Sequence, residues 1–122
     1  MALAAMGVFT VRGTISTNTD TVVIAAPGTS SISQQIQILW ITLTVSVGGT
    51  TSRLIVQAGT GGATILRMST LTADALLHVK YVTQNMNPPG NTVGVNTALS
   101  INTTGGAAAT VDYEVCYRLV GN

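Results

Sequence analysis

"QQIQILWITLTVSV", Gln34 to Val47, is the stretch on which the fold turns. In its first half Ile36, Ile38 and Trp40 alternate with Gln35 and Gln37. In its second half Leu39, Ile41, Leu43, Val45 and Val47 alternate with Thr42, Thr44 and Ser46. Side chains on a strand alternate with period two, so a strand with one buried face keeps one parity throughout. At about 3.3 Å per residue the stretch spans about 45 Å, far more than the usual five or six residues of a strand. Two arrangements account for the change of step. Either a bulge or bend near Leu39 to Ile41 changes which side faces the core, or both sides are covered, one by the domain and one by a neighbouring subunit. The expectation is that protein covers the second face, with Ile36, Ile38 and Trp40 nearest to it.

Period two continues on either side. In the last segment Val111, Tyr113, Val115, Tyr117 and Leu119 share one face, with Asp112, Glu114, Cys116 and Arg118 on the other. Val93, Val95, Leu99 and Ile101 form another alternating set, and Ala75, Leu77, Val79 and Tyr81 a third, opposite His78 and Lys80. Looser strands are expected over Val8 to Ile15, Thr21 to Ala26, Arg53 to Ala58 and Ala63 to Ser69, where β-branched residues suit a pleated, partly buried surface. Turn chemistry separates them: "NTD" at Asn18, "APGTSS" at Ala26, "GG" at Gly48, "GTGG" at Gly59, "NPPGN" at Asn87 and "TTGG" at Thr103. "STLTADALL", Ser69 to Leu77, is the one place for a short helix. About eight short strands in a chain of 122 residues predict a single all-β domain over 1–122. It is an antiparallel β-sandwich or jelly roll, with 1–7 as an N-terminal arm.

Charge is scarce. Asp, Glu, Lys and Arg make up 7 % of the chain, against about 25 % in an ordinary soluble domain, and the net charge is +1. So neutral a surface implies a membrane or burial against other subunits. No run reaches the roughly 18 apolar residues of a spanning helix. The five aromatic residues Phe9, Trp40, Tyr81, Tyr113 and Tyr117 are too few for the girdles of an outer-membrane barrel. Assembly is therefore expected, with no membrane partner. Scattered Lys and Arg make no phosphate-binding stripe, so no nucleic acid is expected either. The single cysteine, Cys116, rules out an intrachain disulfide and fits folding in a reducing cytoplasm. "MALAAMGVFTVRG" lacks a basic leader and is read as part of the mature protein.

Catalytic and metal chemistry has little to stand on. A nucleophilic dyad would have to be His78 with Cys116, oriented by Asp74 or Asp112, and no cysteine-enzyme signature surrounds them. Asp112 and Glu114 share a strand face about 7 Å apart, a spacing compatible with glycosidic acid and base work. Ordinary ion pairing explains them better, since Arg118 is on the same face and Arg53 or Lys80 is a candidate to lie across from them. One His and one Cys with scattered carboxylates give no zinc or calcium spacing, so no metal and no cofactor are expected. "AGTGGAT" at Ala58 lacks the order of a phosphate-binding loop and reads as a hairpin turn. "NMNPPGN", Asn85 to Asn91, is a rigid polar loop suited either to a contact or to a corner.

The Gly-, Thr- and Ala-rich strands of "TALSINTTGGAAATVDYEVCYRLV", the few charges and the apolar N-terminal "MALAAMGVFTV" resemble the small β-sandwich decoration, or cement, proteins of tailed-phage capsids. The likeness is one of style over most of the chain, without a shared motif. It implies a non-enzymatic structural protein of the virion's outer surface, made in the host cytoplasm. Such a protein forms homotrimers and clamps neighbouring major capsid proteins. On that reading the arm and the loops around Pro27 and Pro88 are capsid contacts, and the interface candidates are Met6, Val8, Phe9, Pro27, Ile36, Ile38, Trp40, Pro88 and Pro89. Chaperone-assembled pilins are a second likeness, through "VFTVRGTISTNTDT", but a secretion signal and a cysteine pair are missing. A sugar- or receptor-binding sandwich with Trp40 or Tyr81 as stacking platform is the alternative of a different class.

Overall fold

A computed structural model describes residues 7–17, 19–27, 34–47, 54–68, 74–80, 92–103 and 110–121. They form eight strands and, among the described residues, no helix: β1 (Val8–Ile15), β2 (Asp20–Ile24), β3 (Gln34–Val47), β4 (Leu54–Ala58), β5 (Ala63–Met68), β6 (Leu76–Lys80), β7 (Leu99–Asn102) and β8 (Thr110–Gly121). All pair antiparallel, in two four-stranded sheets ordered β1-β8-β3-β6 and β2-β7-β4-β5.

The order has a simple logic. In the pairs β1·β8, β2·β7, β3·β6 and β4·β5 the strand numbers add to nine, as in one long antiparallel hairpin whose arms meet at the β4–β5 turn. Rolling that hairpin up brings β8 against β3 and β7 against β4, the two remaining pairings. The result is a jelly-roll sandwich. Its innermost turn is tight: Gly59 and Gly61 sit at φ +83° and +70°, where L side chains are strained, and the Gly62 amide donates to the Gly59 carbonyl at 3.0 Å.

The change of step in β3 is a bulge. Ile38 pairs with Tyr117 and Trp40 with Cys116, which leaves Leu39 as the extra residue. Opposite it, β8 has no extra residue and keeps Val111, Tyr113, Val115, Tyr117 and Leu119 on one side throughout. Ile36 and Ile38 before the bulge, and Ile41, Leu43 and Val45 after it, therefore reach the same core, each at 0 % exposure. This corrects the expectation for Ile36 and Ile38. The chain's own core encloses them, and neither side chain is exposed on the outer face.

That core joins both sheets. Ile15, Ile36, Ile41, Leu43 and Val115 of the first sheet form one cluster with Ile24, Leu54, Val56, Leu99 and Ile101 of the second. Burying each such side chain stabilises the fold by about 1.5–3 kcal/mol relative to exposure.

Two other expectations change. The alternation from Val93 to Ile101 is not one strand, because only Leu99–Asn102 pairs as β7. Upstream, the Val93 and Asn96 amides donate to the carbonyls of Ile36 (2.8 Å) and Gln34 (2.9 Å), and Thr92 bridges to Gln37. The segment thus lies along the start of β3, then turns at Asn96, whose φ is +48°. The expected helix at Ser69–Leu77 is also absent where it is described, 69–73 lying outside the described residues. Asp74 has φ +69° and donates its amide to Val45 O at 2.7 Å, and β6 begins at Leu76. Asp tolerates this left-handed turn better than most residues.

Candidate functional site: the outer face of the β1-β8-β3-β6 sheet

The even-numbered residues of β1 and β8 point away from the core, and register carries that face across the sheet in rows. Thr14, Asp112, Thr44 and Leu76 form one row; Arg12, Glu114, Thr42 and His78 the next. Thr10, Cys116, Trp40 and Lys80 follow, then Val8, Arg118 and Gln37. Arg12, Lys80, Arg118, Asp112 and Glu114, five of the chain's nine charged residues, stand on this one face with its only histidine and only cysteine.

Neighbouring strands satisfy one another here. The Arg12 guanidinium donates to and ion-pairs with Glu114, Thr14 Oγ1 donates to Asp112 Oδ1 at 2.6 Å, and Arg118 donates to Gln37 Oε1. Thr42 Oγ1 and His78 Nδ1 share a hydrogen bond of 2.7 Å. The His78 ring also leans on Trp40, with centroids 6.0 Å apart and planes at 39°. Between β1, β8 and β3 the face dips into an open concavity of about 450 Å³ lined by Arg12, Thr14, Thr42, Thr44, Asp112 and Glu114, with Gly13 and Tyr113 beneath. Tyr113 comes close enough that a Cβ on Gly13 would clash with its ring and hydroxyl.

The His78 and Cys116 dyad is not assembled. β3 lies between their strands, and two strand spacings of about 4.8 Å with a two-residue offset put their Cα atoms about 12 Å apart. A nucleophile and its base need hydrogen-bond contact. Cys116 is 6 % exposed, in the row of Trp40 and Thr10. Ion pairing does account for one carboxylate, with Arg12 rather than the expected partners. Lys80 is on β6, two strands from β8, and Arg53 lies outside the described residues. Among the described residues no three His, Cys, Asp or Glu side chains group as metal ligands. Arg12, Thr14, Thr42 and Thr44 went unremarked in the sequence as members of one site. Their even parity, matching Asp112 and Glu114, was the available signal.

Of the interface candidates, Val8 and Phe9 are 58 % and 45 % exposed at the start of the edge strand β1, where Phe9 packs on Tyr117 at 5.6 Å. Trp40 and Pro27 are half-buried. Met6, Pro88 and Pro89 lie outside the described residues, as does the N-terminal arm except Gly7. No protein-family model and no curated protein matches the chain.

Proposed function

We propose that this chain is a non-enzymatic structural protein of a viral particle, a capsid decoration protein. On this reading it oligomerises, with a trimer favoured, and stabilises the shell by binding neighbouring major capsid proteins at the outer surface. One observation carries the reading: among the described residues β1 is an edge strand that opens with Val8, Phe9, Thr10 and Val11, and Val8 and Phe9 are exposed without a charge or proline among the four. Sheet edges of free monomers are normally blunted by such residues, and the opposite edge, β6, carries His78 and Lys80. Arg12 is the charge on β1 and comes only after this end of the strand, and an exposed apolar strand end in a chain with 7 % charged residues suits permanent cover by protein. On a lattice, many modest contacts of this kind act together, and avidity makes release rare. The jelly roll is a common architecture of viral shell proteins, which supports the reading by analogy of fold alone.

The test is co-sedimentation of purified protein with undecorated capsid shells. Saturable binding that Val8→Ser/Phe9→Ser weakens supports the proposal. No binding at saturating concentration overturns it.

A further inference from the structure

We infer that the concavity on the outer face of the β1-β8-β3-β6 sheet binds a neutral saccharide. The inference stands apart from shell binding, because Val8 and Phe9 lie at the other end of β1, four and three residues from Arg12.

The chemistry of the lining sets the ligand class. A carboxylate accepts at about four lone-pair positions, and Asp112 and Glu114 each use one on a neighbour, Thr14 and Arg12 respectively. Both side chains line the concavity, and their remaining positions are acceptors for hydroxyl donors. Threonine hydroxyls both donate and accept, the same dual capacity that a sugar hydroxyl has, and three of them line the site. Thr42 already bonds His78, whereas Thr44 stands in the same wall one row along β3.

Charge disfavours an anion. The one cation in the lining, Arg12, is paired to Glu114, and with Asp112 the lining is net negative, so phosphate, sulfate or a carboxylate ligand meets repulsion. A divalent cation lacks a third acidic ligand among the described residues. A neutral polyol meets neither obstacle. Next to the lining residue Thr42 on the same face, the tilted Trp40 and His78 rings offer an aromatic surface for the C–H face of a sugar ring. Trp40 is two residues from Thr42 on the same side of β3, about 7 Å along the strand.

The test is a titration of ¹⁵N-labelled protein, followed by amide shifts. The probes are the methyl glycosides of glucose, galactose, mannose and N-acetylglucosamine, and their disaccharides. The expected result is saturable shifts of the Thr14, Thr42, Thr44 and Glu114 amides and of the Trp40 indole N–H with at least one probe. Thr44→Val, which removes one hydroxyl at a strand position where Val is well suited, weakens that binding about three- to tenfold. Arg67→Ala, on the other sheet, leaves it unchanged. Trp40→Ala serves as a second variant, and Thr44→Val keeps the test decisive if loss of Trp40 disturbs the sheet. Three results overturn the inference: no shift on this face with any probe up to about 50 mM, far above a millimolar dissociation constant; a response only to a sulfated saccharide or to a shell-protein peptide; or full binding by Thr44→Val and Trp40→Ala. Decoration of shells by Thr44→Val, measured separately, keeps failure here distinct from failure of the structural role.

Discussion

Deleting Leu39 alone removes the bulge without turning a single core side chain outward. Ile38 then stands next to Trp40, the pairings Ile38 with Tyr117 and Trp40 with Cys116 are retained, and Ile36, Ile38, Ile41, Leu43 and Val45 fall on one face by simple alternation. The loss is Leu39's own half-burial, about 1 kcal/mol, together with the local twist that a bulge adds. Deleting Thr42 instead sets Ile41 directly beside Leu43. With Leu43 held in the core, Ile41 points out and Trp40 points in, and Leu39 absorbs the offset so that Ile36 and Ile38 remain inside. The cost is the burial of Ile41, now at 0 % exposure, about 1.5–3 kcal/mol, and about 1–3 kcal/mol for forcing an indole into a filled core. Together these reach about 2.5–6 kcal/mol, a large share of the 5–15 kcal/mol typical of a domain's stability. Urea unfolding of the two deletion variants measures the difference. A Leu39 deletion that costs as much as the Thr42 deletion, or more, refutes the bulge as the cause of the change of step.

Two further outcomes follow from packing. Ile36→Ala and Ile38→Ala each lose about 2–5 kcal/mol in urea unfolding, whereas Val8→Ser and Phe9→Ser, on an exposed strand end, stay within about 1 kcal/mol of the unaltered protein. Gly13→Val drives a side chain against the Tyr113 ring and costs about 1–3 kcal/mol. The same change in a Tyr113→Ala background costs less, and equal costs in both backgrounds contradict the close approach.

Much of the fold was legible because period two survives in sequence wherever one face is buried. β8 shows this best: its twelve residues carry no extra residue, so its odd and even faces could be read without coordinates. β3 shows the limit. A parity change marks that something shifts the face, but a bulge and a second covered face leave the same trace, and only the pairing of Ile38 and Trp40 with consecutive β8 residues separates them. The Val93 to Ile101 alternation misled for a related reason. Alternating character says nothing about where amides bond, and those of Val93 and Asn96 go to β3 rather than along β7. The outer-face site was legible by residue type on β8 alone. That Arg12 and Thr14 stand against Glu114 and Asp112, and Thr42 and Thr44 on their other side, depends on strand order, which comes from the way the whole chain rolls up.

The proposal that this protein works by covering its surface with other protein meets its most direct test in the mass in solution, measured by light scattering over a range of concentrations. The account predicts a mass rising toward three times the 12.5 kDa of the chain, and a fall back toward the single-chain value in Val8→Ser/Phe9→Ser. A single-chain mass persisting to about millimolar concentration, with the exposed β1 edge intact, would contradict it.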